Sequence, residues 1–187
     1  MIFIPTLIPG AFIVDLERKS DERGFFARGF CAAEFAAHAL DPTVAQCNMS
    51  YNHRLGTLRG LHYETTGATK FIRCLRGAIY DVITDMRPDS PTFRKHFGIE
   101  LSDENRRAMF VPPMCGHGYQ ALTDGAEVIY HVSEPYMPDC ECGLRYDDPA
   151  LGIRWPLPVS AVSDKDRSWP LIKDAPRQES RPLQKSD

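Results

Sequence analysis

The chain has no excess of charge of either sign. Lysine and arginine total 22 against 25 aspartates and glutamates, a formal net charge of -3 at pH 7. That balance gives no general attraction to nucleic acid or to an anionic membrane. An anionic ligand must therefore meet a local cluster of basic side chains. Long apolar runs are missing too. The stretch from Met1 to Asp15 is apolar, but Pro5, Pro9 and Gly10 interrupt it and it carries no basic leader. It reads as neither a signal peptide nor a membrane span, and the expected location is the cytoplasm. Cysteines are present without a metal-binding pattern. Of Cys31, Cys47, Cys74, Cys115, Cys140 and Cys142, only the last two are close, and no paired Cys-x-x-Cys clusters occur. This argues against a structural zinc site, and the wide spacing excludes a small disulfide scaffold. Reduced thiols are expected.

What is present suits one globular domain. The 187 residues are 43% hydrophobic and 25% charged, enough apolar material for a sizeable core. The domain is expected over residues 1–173, followed by a polar, flexible tail over 174–187 that holds two prolines. Short strand-like runs dominate: Ala11–Val14, Phe71–Leu75, Ala78–Thr84, Ala108–Val111, Tyr119–Leu122 and Glu127–Val132. Turn-rich pieces separate them. Many short strands at close spacing predict an antiparallel sandwich or barrel. Two helical turns are expected, one over Ala32–Ala39 and one over Ser102–Arg107, the second capped by Ser102.

Strand phase points to a site. Over 128–132, alternation puts Val128, Tyr130 and Val132 on one face and Ile129 and His131 on the other. An inward Tyr130 carries its hydroxyl into an apolar interior, where it needs a partner or a role. The plain alternative is a core tyrosine bonded to a backbone carbonyl. The segment Leu58-Arg-Gly-Leu-His-Tyr63 and the nearby Lys70 gather three basic side chains on one hairpin, and Pro113-Met-Cys-Gly-His-Gly118 reads as a turn presenting His117. Strict alternation puts Arg59 and His62 on opposite faces. Both reach one pocket only if Gly60 marks a bulge or kink.

These two segments resemble the paired motifs of the cupin superfamily. The first motif has a single histidine, His62, followed by Tyr63 and Glu64, so a three-histidine metal site cannot be assembled from it. A closer resemblance then covers roughly Ile4 to Pro170. Six motifs in order are similar to those of the dTDP-4-dehydrorhamnose 3,5-epimerase family: Asp21-Glu-Arg-Gly-Phe-Phe26, Leu58-Arg-Gly-Leu-His-Tyr63, Asp89-Ser-Pro-Thr-Phe93, Gly116-His-Gly-Tyr119, Asp147-Asp-Pro-Ala-Leu-Gly-Ile153 with Trp155-Pro156, and Ser163-Asp-Lys-Asp166. The resemblance implies an all-β, cupin-type jelly roll with short flanking helices. It also implies an isomerase without metal or cofactor that acts on a nucleotide-diphosphate sugar, working as a cytoplasmic homodimer with no nucleic-acid or membrane partner.

The family's reaction removes and returns protons at C3 and C5 of a nucleotide-linked 4-keto-6-deoxyhexose. By resemblance, His62 is the base, Asp166 the carboxylate that orients it, Tyr130 the proton donor across the ring, and Lys70 the cation near the C4 oxygen. Arg59, His117, Arg23 and Lys165 match positions near the diphosphate, with Arg167 beside them. Phe26, Gln46, Asn48 and Glu141 match other substrate contacts. The plain reading of Asp166 alone is a solvated loop acid, and of Arg23 a surface salt bridge with Asp21 or Glu22.

Three departures stand out. Arg28 lies where the family usually has glutamate. It cannot accept a hydrogen bond from thymine N3–H, which keeps a CDP-linked sugar open as an alternative. Cys47 and Met49 replace an acid and a histidine, either retuning sugar recognition or repacking behind it. The loop between His62 and Lys70 is also short. Epimerisation at one carbon only and a non-catalytic sugar-binding protein are the remaining alternatives.

Overall fold

The computed structural model describes residues 1–172, so the expected tail over 174–187 lies outside the described residues. Among the described residues thirteen strands are formed: β1 (Ile2–Pro5), β2 (Phe12–Asp15), β3 (Lys19–Asp21), β4 (Gly24–Phe26), β5 (Gln46–Asn52), β6 (Leu58–Glu64), β7 (Lys70–Arg76), β8 (Ala78–Asp85), β9 (His96–Ser102), β10 (Ala108–Val111), β11 (Cys115–Ala121), β12 (Ala126–Val132) and β13 (Glu141–Gly143). A six-stranded sheet runs β1-β2-β10-β7-β12-β5 and a five-stranded sheet β13-β6-β11-β8-β9, with β3 and β4 forming a separate hairpin. The two larger sheets face each other as a cupin-type jelly roll, the all-β fold that the sequence leads one to expect. Among the described residues no helix is long and apolar enough to cross a membrane.

Alternation explains the layering. Inward residues of both sheets, including Ile72, Met109 and Val128 from one and Ile79, Ile83 and Leu101 from the other, close one end of the sandwich as a dry core. The outer face of the small sheet is covered by later chain, where Leu61, Tyr63 and Val82 meet Leu144 and Leu151. The outer face of the large sheet is partly covered by α1 (Ala32–Ala37), whose Phe35 packs on Phe71 and Phe110. The other end of the sandwich keeps its inward polar side chains and stays open.

The expected helix at Ala32 forms but ends at Ala37; His38 caps it and Ala39 has a positive φ of 56°. The expected helix over Ser102–Arg107 does not form. Ser102 ends β9, its hydroxyl accepts from Asn105 N at 3.2 Å, and Asn105 Oδ1 accepts from the backbone of Ser102 and Arg107. Side chains that bond the backbone on both sides hold a tight turn in place of a helix. A helix that the pattern did not predict, α2 (Asp164–Ser168), is started by Ser163, whose hydroxyl accepts from Asp166 N at 3.1 Å. His117 sits within β11, so the expected turn there is a strand. The polar-looking β5, β9 and β13 also join the sheets.

The irregularity required at Gly60 is present. His117 pairs with His62 and Tyr119 with Arg59, so β6 has one residue more than β11 between these pairs. That bulge turns Arg59 and His62 to the same side. Gly60 has a φ of 105°, and a Cβ there would stand 2.6 Å from both Gly118 Cα and the His117 carbonyl oxygen. Backbone cannot give way as a flexible side chain can. Gly60→Ala is therefore expected to lower stability by about 2–3 kcal/mol, read from urea unfolding midpoints. A loss under 0.5 kcal/mol, by the same ~0.5 kcal/mol that ordinary surface changes cost, would show that the bulge tolerates a side chain.

Candidate active site

The open end of the sandwich is a cavity of about 420 Å³ walled by β6 and β11 on one side and β5, β7 and β12 on the other. A further side is α2, reached through a segment that runs beside β6. Thr57 bridges to Ala161, and Leu58 N donates to Ala161 O at 2.8 Å. The indole of Trp169 lies against Gly143, where an added Cβ would meet it at 1.9 Å, which fixes the end of the helix. A second lobe of about 100 Å³, lined by Gln46, Asn48, Glu64, Tyr136 and Glu141, shares His62, Lys70 and Tyr130 with the first.

The central contact is His62 Nε2 to Asp166 Oδ1 at 2.6 Å. Asp166 is 4% exposed, which removes the reading as a solvated loop acid. Its Oδ2 accepts from Gly60 N at 3.2 Å. Burial pushes the Asp166 carboxyl up, but hydrogen bonds from His62, Gly60 and Ser163, with the charge of His62, outweigh it and hold the group below its ordinary range. An ionised carboxylate only accepts, so Nε2 carries a proton, and in the neutral imidazole the lone pair is then on Nδ1. Nδ1 lies 3.8 Å from Glu141 Oε1, beyond a hydrogen bond.

Tyr130 enters from β12, opposite β6, with the inward phase read from the sequence, and lines both lobes. Burial, followed by the neighbouring Tyr119, pushes its phenol up, while Arg59 and a hydrogen bond with Asn48 pull the other way. It stays protonated at neutral pH. Lys70, at the start of β7, donates to the His62 carbonyl oxygen at 3.3 Å.

Cations line the wider part of the cavity. Arg59 is aimed by Nε donating to Asn52 Oδ1 at 2.9 Å and Nη2 donating to Tyr51 O at 3.1 Å. His117 Nε2 lies 2.7 Å from Asp81 Oδ1, a second buried histidine–aspartate pair. Lys165, on α2, donates to Glu141 at 2.6 Å. A concave site with several convergent cations fits a phosphorylated ligand. Among the described residues no cluster of three His, Cys, Asp or Glu side chains is placed to hold a metal.

Ten of the sequence-derived site residues thus meet here: His62, Asp166, Tyr130, Lys70, Arg59, His117 and Lys165 around the main cavity, with Gln46, Asn48 and Glu141 in the second lobe. Four do not line either lobe of this chain. Arg23 is 85% exposed in its side chain and pairs with Asp21 at 2.6 Å. Phe26 is exposed on the same hairpin. Arg28 pairs with Glu34, which also binds the N-terminal ammonium. Arg167 lies on the exposed part of α2. Cys47 and Met49 alternate outward from β5 and are exposed, so their changed polarity does not reach the cavity. None of the six cysteines is joined in a disulfide among the described residues.

Sequence reasoning missed Tyr119, Asn52 and Asp81. The Tyr119 hydroxyl lies 2.7 Å from Ser50 Oγ and accepts from Asn52 Nδ2 at 3.3 Å, so these residues brace Arg59 from behind. Tyr119 could have been found, since it stands two residues after His117 on the same face. Asp81 gave no local signal; only the β8–β11 pairing brings it to His117.

Comparison with known proteins decides the family. The dTDP-4-dehydrorhamnose 3,5-epimerase family model matches residues 5–174. The chain belongs to that family. It is 40% identical over 178 residues to the dTDP-4-dehydrorhamnose 3,5-epimerase of Methanothermobacter thermautotrophicus, covering 93% of this chain and 96% of the relative. The crystal structure of dTDP-4-dehydrorhamnose 3,5-epimerase from Elizabethkingia anophelis superposes with a TM-score of 0.89 at 32% identity, over 93% of this chain and 97% of that one. That of the dTDP-6-deoxy-D-glucose-3,5-epimerase from Legionella pneumophila, in complex with dTDP-4-keto-L-rhamnose, gives 0.86 at 35% identity over 92% and 93%.

The depressed Asp166 carboxyl links folding to acid. Its contribution to stability is complete above the unfolded aspartate value of about 4 and is lost as pH falls through the lower folded value. Asp166→Asn is expected to flatten the fall in stability below about pH 4, measured by urea unfolding between pH 3 and 7. An unchanged slope would mean that the pair does not couple to folding.

Proposed function

We propose that this enzyme epimerises dTDP-4-dehydro-6-deoxyglucose at C3 and C5 to dTDP-4-dehydrorhamnose. The observation that carries this reading is that His62 and Tyr130 project from opposing sheets into one cavity, with Lys70 reaching both lobes.

The chemistry follows from the substrate. C3 and C5 flank the C4 ketone, so removing either proton gives an enolate whose charge rests on the C4 oxygen. Nδ1 of His62 takes the proton, and Asp166 stabilises the imidazolium that forms. The ammonium of Lys70 stabilises the developing oxyanion. Return of a proton from the opposite face, by the Tyr130 phenol, inverts the carbon. Arg59, His117 and Lys165 hold the diphosphate, and Gln46, Asn48 and Glu141 contact the sugar end.

Incubation with dTDP-4-keto-6-deoxyglucose in heavy water, read by NMR, tests this. The wild type is expected to take up deuterium at both carbons. His62→Ala is expected to lower uptake by about 10²- to 10⁴-fold. Tyr130→Phe is expected to keep exchange while blocking inversion, more at C5 than at C3. Wild-type-like exchange in His62→Ala would sink the base assignment.

The enzyme further acts as a cytoplasmic homodimer in which Arg23, Phe26 and Arg28 serve the neighbour's cavity. Their exposure outside this chain's cavity supports it. Mixing inactive Arg23→Ala and His62→Ala subunits should then restore activity, because each mixed dimer holds one intact site. No recovery after exchange of subunits would argue that each chain works alone.

A further inference from the structure

Glu64 follows His62 by two residues on β6 and so projects to the same side, into the second lobe. It is 8% exposed, and its Oε2 is buried without a hydrogen-bond partner. Burial of such a group is costly unless a charge or donor compensates it. Directly across the ladder stands Glu141, another acid. Glu141 is already matched: Lys165 donates to it at 2.6 Å and the Tyr136 hydroxyl at 2.7 Å. Among the described residues Glu64 has no such partner.

Lys70 poses the complementary problem. Its ammonium sits in the same lobe, donates to the His62 carbonyl oxygen at 3.3 Å, and forms no ion pair within 4.0 Å. The ionisable groups around this lobe are His62 and Glu64 from β6, Tyr130 from β12, Glu141 from β13, Tyr136 and, farther out, Glu134. Glu141 is neutralised by Lys165, His62 leans on Asp166, and the tyrosines are protonated. Among the described residues one uncommitted negative charge is left to face the ammonium, that of Glu64. The lobe thus carries a row of Lys165, Glu141, Glu64 and Lys70 in which the two acids are neighbours and each has a cation on its far side.

We propose that Glu64 is a positioning residue that acts across the lobe as the counter-charge of Lys70, keeping it an ammonium at the point where the enolate oxygen forms. The separation beyond direct ion-pair distance serves the reaction: a tight pair would occupy the ammonium's donors, whereas a carboxylate at longer range holds the charge and leaves the N–H groups for substrate. On balance burial lowers Lys70 and raises Glu64, and the charge of each opposes that shift in the other. Glu64 is the strongest of the charges that raise the lysine again.

This rests on the reading of Lys70 as the oxyanion's partner, and the test separates the two. In full-length enzyme, Glu64→Gln is expected to move the titration of Lys70, followed by NMR of its side chain without substrate, about one unit to lower pH. The alkaline limb of the exchange rate should move with it, to about a tenfold loss one unit above the new midpoint, with KM little changed and Glu64→Asp restoring the wild-type limb. In a Lys70→Arg background, Glu64→Gln should move no limb, since guanidinium stays charged. A Lys70 titration unmoved by Glu64→Gln overturns the proposal. So does a rate loss equal at every pH, which marks a packing role. A shifted titration with an unshifted rate leaves the counter-charge standing and overturns instead the role of Lys70 in the reaction.

Discussion

The hydrogen bond between His62 and Asp166 is the contact on which the site depends. It joins a strand to a short helix 104 residues away. It needs the bulge at Gly60, which turns His62 and Arg59 to one side, and the Gly60 amide, which donates to the same carboxylate. It also needs Ser163 to start α2 and Trp169 on Gly143 to hold its end. Each is a local feature of little consequence alone. Together they exclude water from Asp166 and fix the tautomer of His62.

The cavity illustrates how a sandwich can close one end and open the other. Inward residues alternate along every strand, but they are apolar at the core end and polar at the site end. The buried polar groups Asp166, Asp81 and Asn52 are tolerated there because they are paired, with His62, His117 and Arg59 in turn. Two of the exceptions, Glu64 Oε2 and Asp81 Oδ2, belong to residues beside the site cations. In a net-acidic chain, pairing of this kind lets a few cations converge on one cavity without a basic surface.

Much of this was legible in advance, for reasons that differ by residue. The inward phase of Tyr130 followed from period-two alternation on a strand buried on one face. The need for an irregularity at Gly60 followed from Arg59 and His62 being an odd number of residues apart. The helix expected at Ser102 failed because its capping side chains bond equally well to a turn, a choice that propensity does not resolve. α2 escaped notice because five residues carry too little periodicity to register, and β5 because its polar look is that of a strand whose inner side chains line a site.

The amino-acid order alone determined the strand-rich class, the faces of the strands and, through six ordered motifs, the family. Pairing and burial decided the rest. Whether Asp166 was a solvated acid or the histidine's partner, whether Asp81 and Tyr119 belonged to the site, and that Arg23 and Arg28 face away from this chain's cavity all depend on contacts between residues far apart in sequence. Such contacts exist only once two sheets have stacked, because local pattern fixes the side of a strand a residue occupies but not what stands opposite it.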